Sequence, residues 1–131
     1  MTTAGNRILI VDDDTDFVDA VAAFLEANQF TVLRAHNGPE GVKLAKMERP
    51  DLILMDIMMT ERTEGFFAIQ EIRRAEELEG VPIFIVSSFC AHLPDFEIPQ
   101  GGWLAHDLFL PKPVNLAHLL DHIRRRIGAA A

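Results

Sequence analysis

Length, composition and charge restrict this chain to one small globular domain. Its 131 residues, 49% of them hydrophobic, suffice for a single core, so we expect residues 1–131 to form one domain with its core in 7–127. A net charge of -8 argues against direct nucleic-acid binding, because neutralising phosphates requires clustered Lys and Arg. The single cysteine, Cys90, excludes an internal disulfide. The sequence has no signal peptide and no membrane-length apolar run, so we expect a cytoplasmic protein that does not bind membranes.

Short apolar runs alternate with longer amphipathic segments along the chain. The runs predict five β-strands, at residues 8–11, 31–33, 52–55, 83–86 and 108–110. Strands that alternate with amphipathic helices are typical of βαβ units, so we expect a doubly wound parallel sheet with helices on both faces.

Helical spacing and capping residues predict the helices between these strands. The first helix begins at Asp14 or Thr15, with either side chain as the cap, and the second ends before Pro50. The third carries apolar residues from Phe66 onward and stops at Gly80. The last helix is predicted over 114–127. Between the fourth and fifth strands, the prolines and glycines of the segment 90–107 predict a short or irregular fourth helix.

Polar side chains follow four of the five strands. Asp12 and Asp13 follow the first strand, Asp56 the third, Ser87 the fourth and Lys112 the fifth. Because ligands in such sheets bind beyond the carboxyl ends of the strands, we expect these residues to form one site. Asp56 ends a run of four apolar residues, and a buried carboxylate is costly without a partner, so it either reaches the surface or meets a cation.

Three carboxylates at one edge repel one another unless a cation lies between them. Mg²⁺ suits this set, because it takes oxygen ligands and commonly uses one or two carboxylates together with phosphate oxygens. Asp56 could then attack a phosphoryl group as a carboxylate nucleophile. Lys112 would offset charge on the transferring oxygens, and Ser87 could donate a hydrogen bond to them.

Four segments resemble the receiver domains of two-component response regulators, in the order of that family and over nearly the whole chain. They are ILIVDDD, LILMDIMM, VPIFIVSS and DLFLPKPV. The resemblance implies a flavodoxin-like, five-stranded parallel sheet of order 2-1-3-4-5. It also implies a signalling phosphoacceptor rather than an enzyme, with intrinsic autophosphorylation and autodephosphorylation.

The resemblance assigns roles to individual residues. Asp56 is implied as the phosphoacceptor, and Asp12, Asp13, Asp56 and the backbone carbonyl of Met58 as the Mg²⁺ ligands. The implied phosphoryl donor is a histidine kinase or a histidine phosphotransfer protein. The downstream partner is a protein that the sequence does not name, and the chain is expected to be a monomer or a phosphorylation-linked dimer.

The resemblance also implies a switch. Ser87 is the hydroxyl that follows the phosphoryl group, Lys112 is its counter-ion, and Phe109 is the aromatic side chain that moves inward on activation. The Lys112–Pro113 peptide is implied to be cis. Output would pass through the surface around strands four and five.

Several positions depart from the family pattern and would modulate these steps. Thr60 replaces a usual proline, and Ser88 stands where a smaller residue is typical. Met58 and Phe89 are apolar at positions that tune the access of hydrolytic water, so we expect slow autodephosphorylation.

Two other classes of protein remain as alternatives. A receiver-like interaction module would bind partners without phosphorylation. A haloacid-dehalogenase-like phosphohydrolase also uses a strand-end aspartate and would fit Thr60, but Met58 stands in place of its second acid. Because no output segment follows the last helix, we expect either a stand-alone receiver or one excised from a longer protein.

Overall fold

A computed structural model of the chain describes residues 7–56, 64–78, 80–87 and 108–127. Within them the strands are β1 (Arg7–Val11), β2 (Thr31–Ala35), β3 (Leu52–Met55), β4 (Ile83–Ser87) and β5 (Leu108–Pro111). All pairings are parallel and the order is β2-β1-β3-β4-β5, which confirms the predicted fold. The prediction of an irregular fourth helix lies outside the described residues.

The helices described are α1 (Thr15–Ala27), α2 (Gly38–Glu48), α3 (Glu64–Arg74) and α4 (Leu116–Ile127), with a 3-10 helix at Glu76–Leu78. None of these helices has the length and apolarity needed to cross a bilayer. The last helix begins two residues later than predicted.

The predicted end of the third helix is wrong. The helix ends at Arg74 rather than running to Gly80, because the backbone changes to the tighter i to i-3 pattern. In that pattern the Leu78 N–H donates to the Ala75 carbonyl at 3.0 Å. The tighter turn buries Leu78 completely against the sheet, a tertiary gain that helical spacing alone does not reveal.

Side-chain caps fix where the helices begin at the carboxyl edge of the sheet. Asp14 caps α1 by accepting from the Phe17 N–H at 3.1 Å, and Asn37 caps α2 by accepting from the Glu40 N–H at 2.8 Å. Each cap satisfies a backbone donor that the first helical turn leaves unpaired. The turns after β1 and β2 are therefore held in one conformation.

Successive residues of each central strand pack on opposite faces of the sheet. In β1, Ile8 and Ile10 contact the side covered by α1 and α4, whereas Leu9 and Val11 contact the side covered by α2 and α3. Gly41 lets α2 lie close on β1, since a Cβ there would stand 2.7 Å from a Val11 methyl. This packing holds the end of β1 rigidly and with it the residue that follows, Asp12.

Candidate functional site

Two aspartates continue the central strands into the carboxyl edge of the sheet. The Asp12 N–H donates to the Ala35 carbonyl at 3.0 Å, and the Asp56 N–H donates to the Val11 carbonyl at 2.9 Å. These bonds prolong the β1–β2 and β1–β3 ladders by one residue each, so both carboxylates start from fixed backbone. The two residues are almost inaccessible, with 1% of Asp12 and 5% of Asp56 exposed.

Asp13 joins these two residues in a compact carboxylate cluster. One oxygen from each of Asp12, Asp13 and Asp56 lies within 4.8 Å of the other two. Asp13 is exposed, so the cluster opens to solvent on one side. Converging carboxylate oxygens with an open side fit Mg²⁺, a hard cation that retains several waters. The donor set therefore suits the predicted metal.

Lys112 supplies a positive charge beside the buried acids. It directly follows β5, and its Nζ lies 2.7 Å from Asp12 Oδ2 and 3.5 Å from Asp56 Oδ2. Only 18% of its side chain is exposed. The Lys112–Pro113 peptide is cis, as the family resemblance implied. Of the two alternatives for Asp56, exposure at the surface or a nearby cation, the structure shows the second: the residue is nearly buried and lies next to Lys112.

Burial dominates the electrostatics of the site. It raises the pKa of Asp12 from 3.8 to about 6, and the charge of Asp56 adds to this, although hydrogen bonds from Lys112 and the Asp14 N–H partly oppose it. Burial by itself would lower the pKa of Lys112, but the hydrogen bond to Asp12 and the charges of both aspartates outweigh it and raise that pKa. The lysine is therefore held firmly in its charged form.

An aromatic ring completes the surroundings of Lys112. Its Nζ lies over the Phe17 ring, 4.2 Å from the centroid. The sequence analysis did not single out Phe17, and so it missed this contact. The position of Phe17 could have indicated the contact. Phe17 lies in the first turn of α1, which begins at the carboxyl edge of the sheet, and the turn after β5 places Lys112 at the same edge.

The structure brings Asp12, Asp13, Asp56 and Lys112 together as predicted. Asp14, one of the two residues proposed from the sequence as the cap of the first helix, is the α1 cap and is not a member of the carboxylate cluster. Ser87 is the last residue of β4, at the same edge of the sheet, and Phe109 lies in β5. Their side chains, and the predicted modulators, lie outside the described part of the structure; these modulators are Met58, Thr60, Ser88 and Phe89.

Comparisons with known proteins agree with this geometry. The sequence pattern of the response regulator receiver domain matches residues 8–124. Protein PilH of Pseudomonas aeruginosa is 42% identical over 117 residues, which cover 89% of this chain and 93% of PilH. The polar-differentiation response regulator DivK of Brucella anthropi is 30% identical over 123 residues, which cover 94% of this chain and 97% of DivK.

A solved receiver-domain structure shows the same fold. The receiver domain of a sensor histidine kinase from Pseudomonas aeruginosa, with magnesium coordinated in its active-site cleft, is 28% identical. It superimposes with a TM-score of 0.82 and covers 96% of this chain and 100% of its own. The chain described here therefore belongs to the response regulator family, as a receiver domain of two-component signalling.

Proposed function

We propose that this receiver accepts a phosphoryl group on Asp56 from a phosphohistidine, in a reaction that depends on Mg²⁺. The donor is a histidine kinase or a histidine phosphotransfer protein. One observation carries the proposal: the nearly buried strand-end carboxylate of Asp56 has two further carboxylates within 4.8 Å and a lysine ammonium 3.5 Å away. A signalling role of this kind fits the family to which the chain belongs.

The transfer itself is a substitution at phosphorus. An oxygen of the Asp56 carboxylate attacks the phosphorus atom, so that a P–O bond forms as the P–N bond to the donor histidine breaks. The electron pair of the P–N bond stays on that imidazole nitrogen, and the ring leaves as neutral imidazole because its other nitrogen already carries a proton. The product is an acyl phosphate on Asp56, which water can later hydrolyse to return the carboxylate.

The other side chains prepare the site for this step. Asp12 and Asp13, with Asp56 and the backbone carbonyl of Met58, would hold Mg²⁺. The bound ion would neutralise negative charge that otherwise repels the incoming phosphoryl group. Lys112 already lies between Asp12 and Asp56, so its ammonium can turn to the phosphoryl oxygens without a large movement.

Output follows from the position of the site in the sheet. Ser87 ends β4 and pairs with Pro111 at the end of β5, next to Lys112. A hydroxyl that follows the phosphoryl group, together with a rearrangement of Phe109, would change the surface around β4 and β5. We propose this surface as the binding site for a downstream protein in the cytoplasm.

The mass of the intact protein after incubation with acetyl phosphate tests the proposal. The wild type should gain one phosphoryl group only when Mg²⁺ is present, and Asp56→Asn should gain none. Asp19→Asn is a matched control, since it removes an exposed carboxylate from α1. Absence of a gain in the wild type would contradict the proposal and favour an interaction module that works without phosphorylation.

A further inference from the structure

We infer that Phe17 is a positioning residue for Lys112, acting through a cation–π contact that keeps the ammonium at the carboxylate cluster while its oxygen partners change. This inference rests on the function proposed above. The contact itself is direct, because Lys112 Nζ lies over the Phe17 ring at 4.2 Å from the centroid. An aromatic face attracts an ammonium at this distance because of its negative quadrupole.

Phe17 is held in place by the same residues that form the site. The Asp14 N–H donates to Asp12 Oδ1 at 2.9 Å, and Asp14 Oδ1 accepts from the Phe17 N–H at 3.1 Å. The Phe17 ring contacts Lys112, which donates to Asp12 Oδ2 at 2.7 Å. These four contacts close a loop that starts and ends on one carboxylate. The ring position is therefore tied to the position of Asp12.

A ring contributes something that the carboxylates do not. During phosphoryl transfer, Lys112 must give up part of its contact with Asp12 and Asp56 in order to meet phosphoryl oxygens. An ammonium has three N–H donors, and the ring interacts with it without supplying a negative charge that would repel the phosphoryl group. Because Phe17 lies on α1 and its ring is half-buried against the core, it can stay in contact throughout the step.

The experiment compares phosphorylation rates with acetyl phosphate at saturating Mg²⁺ for four proteins. Phe17→Leu keeps an apolar side chain but removes the ring, whereas Phe17→Tyr keeps the ring. Phe24→Leu is the matched control, because Phe24 is also a half-buried aromatic of α1 that packs on the same apolar cluster. Ring-current shifts of the Lys112 ε-methylene protons in NMR spectra report the contact independently of the rate.

We expect Phe17→Leu to slow phosphorylation by about threefold to tenfold and to lose the ring-current shift. Phe17→Tyr should keep the shift and stay within about twofold of the wild-type rate, as should Phe24→Leu. Equal rates for Phe17→Leu and wild type would overturn the inference and leave the proposed function intact. An equal slowing in Phe24→Leu would also overturn it, since packing alone would then explain the effect. If the wild type is not phosphorylated, the proposed function fails and the positioning role fails with it.

Discussion

A cluster of charged side chains lies at each end of strand β1, and the two clusters differ in how far they are buried. At its start, Arg7 forms an ion pair with Glu48 at 2.7 Å, and the Arg7 N–H donates to Asp51 Oδ2 at 2.9 Å. The Arg7 and Glu48 side chains are 36% and 39% exposed. Just past its end, Asp12 is 1% exposed and shares Lys112 with Asp56.

The two clusters differ in their exposure to solvent and in the number of carboxylates that lie together. The exposed cluster connects β1 to the end of α2 at little cost, because water still solvates its charges. The buried cluster brings the carboxylates of Asp12, Asp13 and Asp56 together beside the Lys112 ammonium, so like charges lie close to one another where Asp12 and Asp56 have almost no contact with solvent. An arrangement that costs stability indicates a site kept for chemistry, whereas the cluster at Arg7 serves the fold.

Replacing the cation of each cluster should destabilise the protein to very different degrees. Lys112→Gln should lower the free energy of unfolding by about 3 to 5 kcal/mol, because it removes the ammonium that pairs with the buried carboxylates of Asp12 and Asp56. Arg7→Gln should cost less than about 1 kcal/mol, because its pair is solvated. Urea denaturation in metal-free buffer at neutral pH measures both. Equal losses would show that burial does not distinguish the clusters.

The ionisation of Asp12 should make the stability of the buried cluster depend on pH. Its pKa is raised from 3.8 to about 6 in the folded protein, so folding favours the protonated carboxyl. That contribution is fully present below about pH 4 and is lost as the pH rises through 6. In metal-free buffer, the stability of Asp12→Asn relative to wild type should therefore increase by about 2 to 3 kcal/mol between pH 4 and pH 7. A difference that stays constant over this range would refute this account of Asp12.

Two glycines differ in the space that an added Cβ would find. Gly41→Ala places a Cβ at 2.7 and 2.8 Å from the Val11 methyl carbons, next to Asp12, and should cost about 1 to 3 kcal/mol. Gly80→Ala, near the start of β4, meets no atom within 4 Å and should change stability by less than about 0.5 kcal/mol. Thermal unfolding of both variants tests this, and a neutral Gly41→Ala would mean that α2 and β1 adapt easily.

Added Mg²⁺ should stabilise the folded protein by a small amount. Mg²⁺ at ten times its dissociation constant should stabilise the protein by about 1.4 kcal/mol, since it binds only the folded cluster. Asp13→Asn should abolish most of this gain, and Asp51→Asn, at the other end of β1, should keep it. Calorimetric unfolding with and without Mg²⁺ measures the gain. A similar loss in both variants would place the metal elsewhere.

Much of this architecture is readable in the amino-acid sequence. Apolar runs predict the strands to within two residues, and Asp14 signals the start of α1 because its side chain can accept from the first turn. The convergence of Asp12, Asp56 and Lys112 follows from parallel strands, whose carboxyl ends meet at one edge. The order of the strands does not follow from the runs themselves and depends on the family resemblance.

Features governed by tertiary contacts were not predictable in the same way. The third helix ends early because burying Leu78 favours a tighter turn than its helical spacing suggests. Phe17 reads as a core residue of α1, and its contact with Lys112 depends on how α1 packs beside the turn after β5. Both the end of α3 and the Phe17–Lys112 contact depend on packing between segments that are far apart in the sequence, which local sequence patterns do not reveal.

We expect Asp56, and not its neighbours in the carboxylate cluster, to accept the phosphoryl group. Borohydride reduces an acyl phosphate to an alcohol, so it converts a phosphorylated aspartate to homoserine. Treatment with acetyl phosphate and Mg²⁺, followed by borohydride and peptide mass mapping, should reveal homoserine at position 56 alone. Homoserine at position 12 or 13, or at no position in a folded wild-type protein, would mean that Asp56 is not the phosphoacceptor.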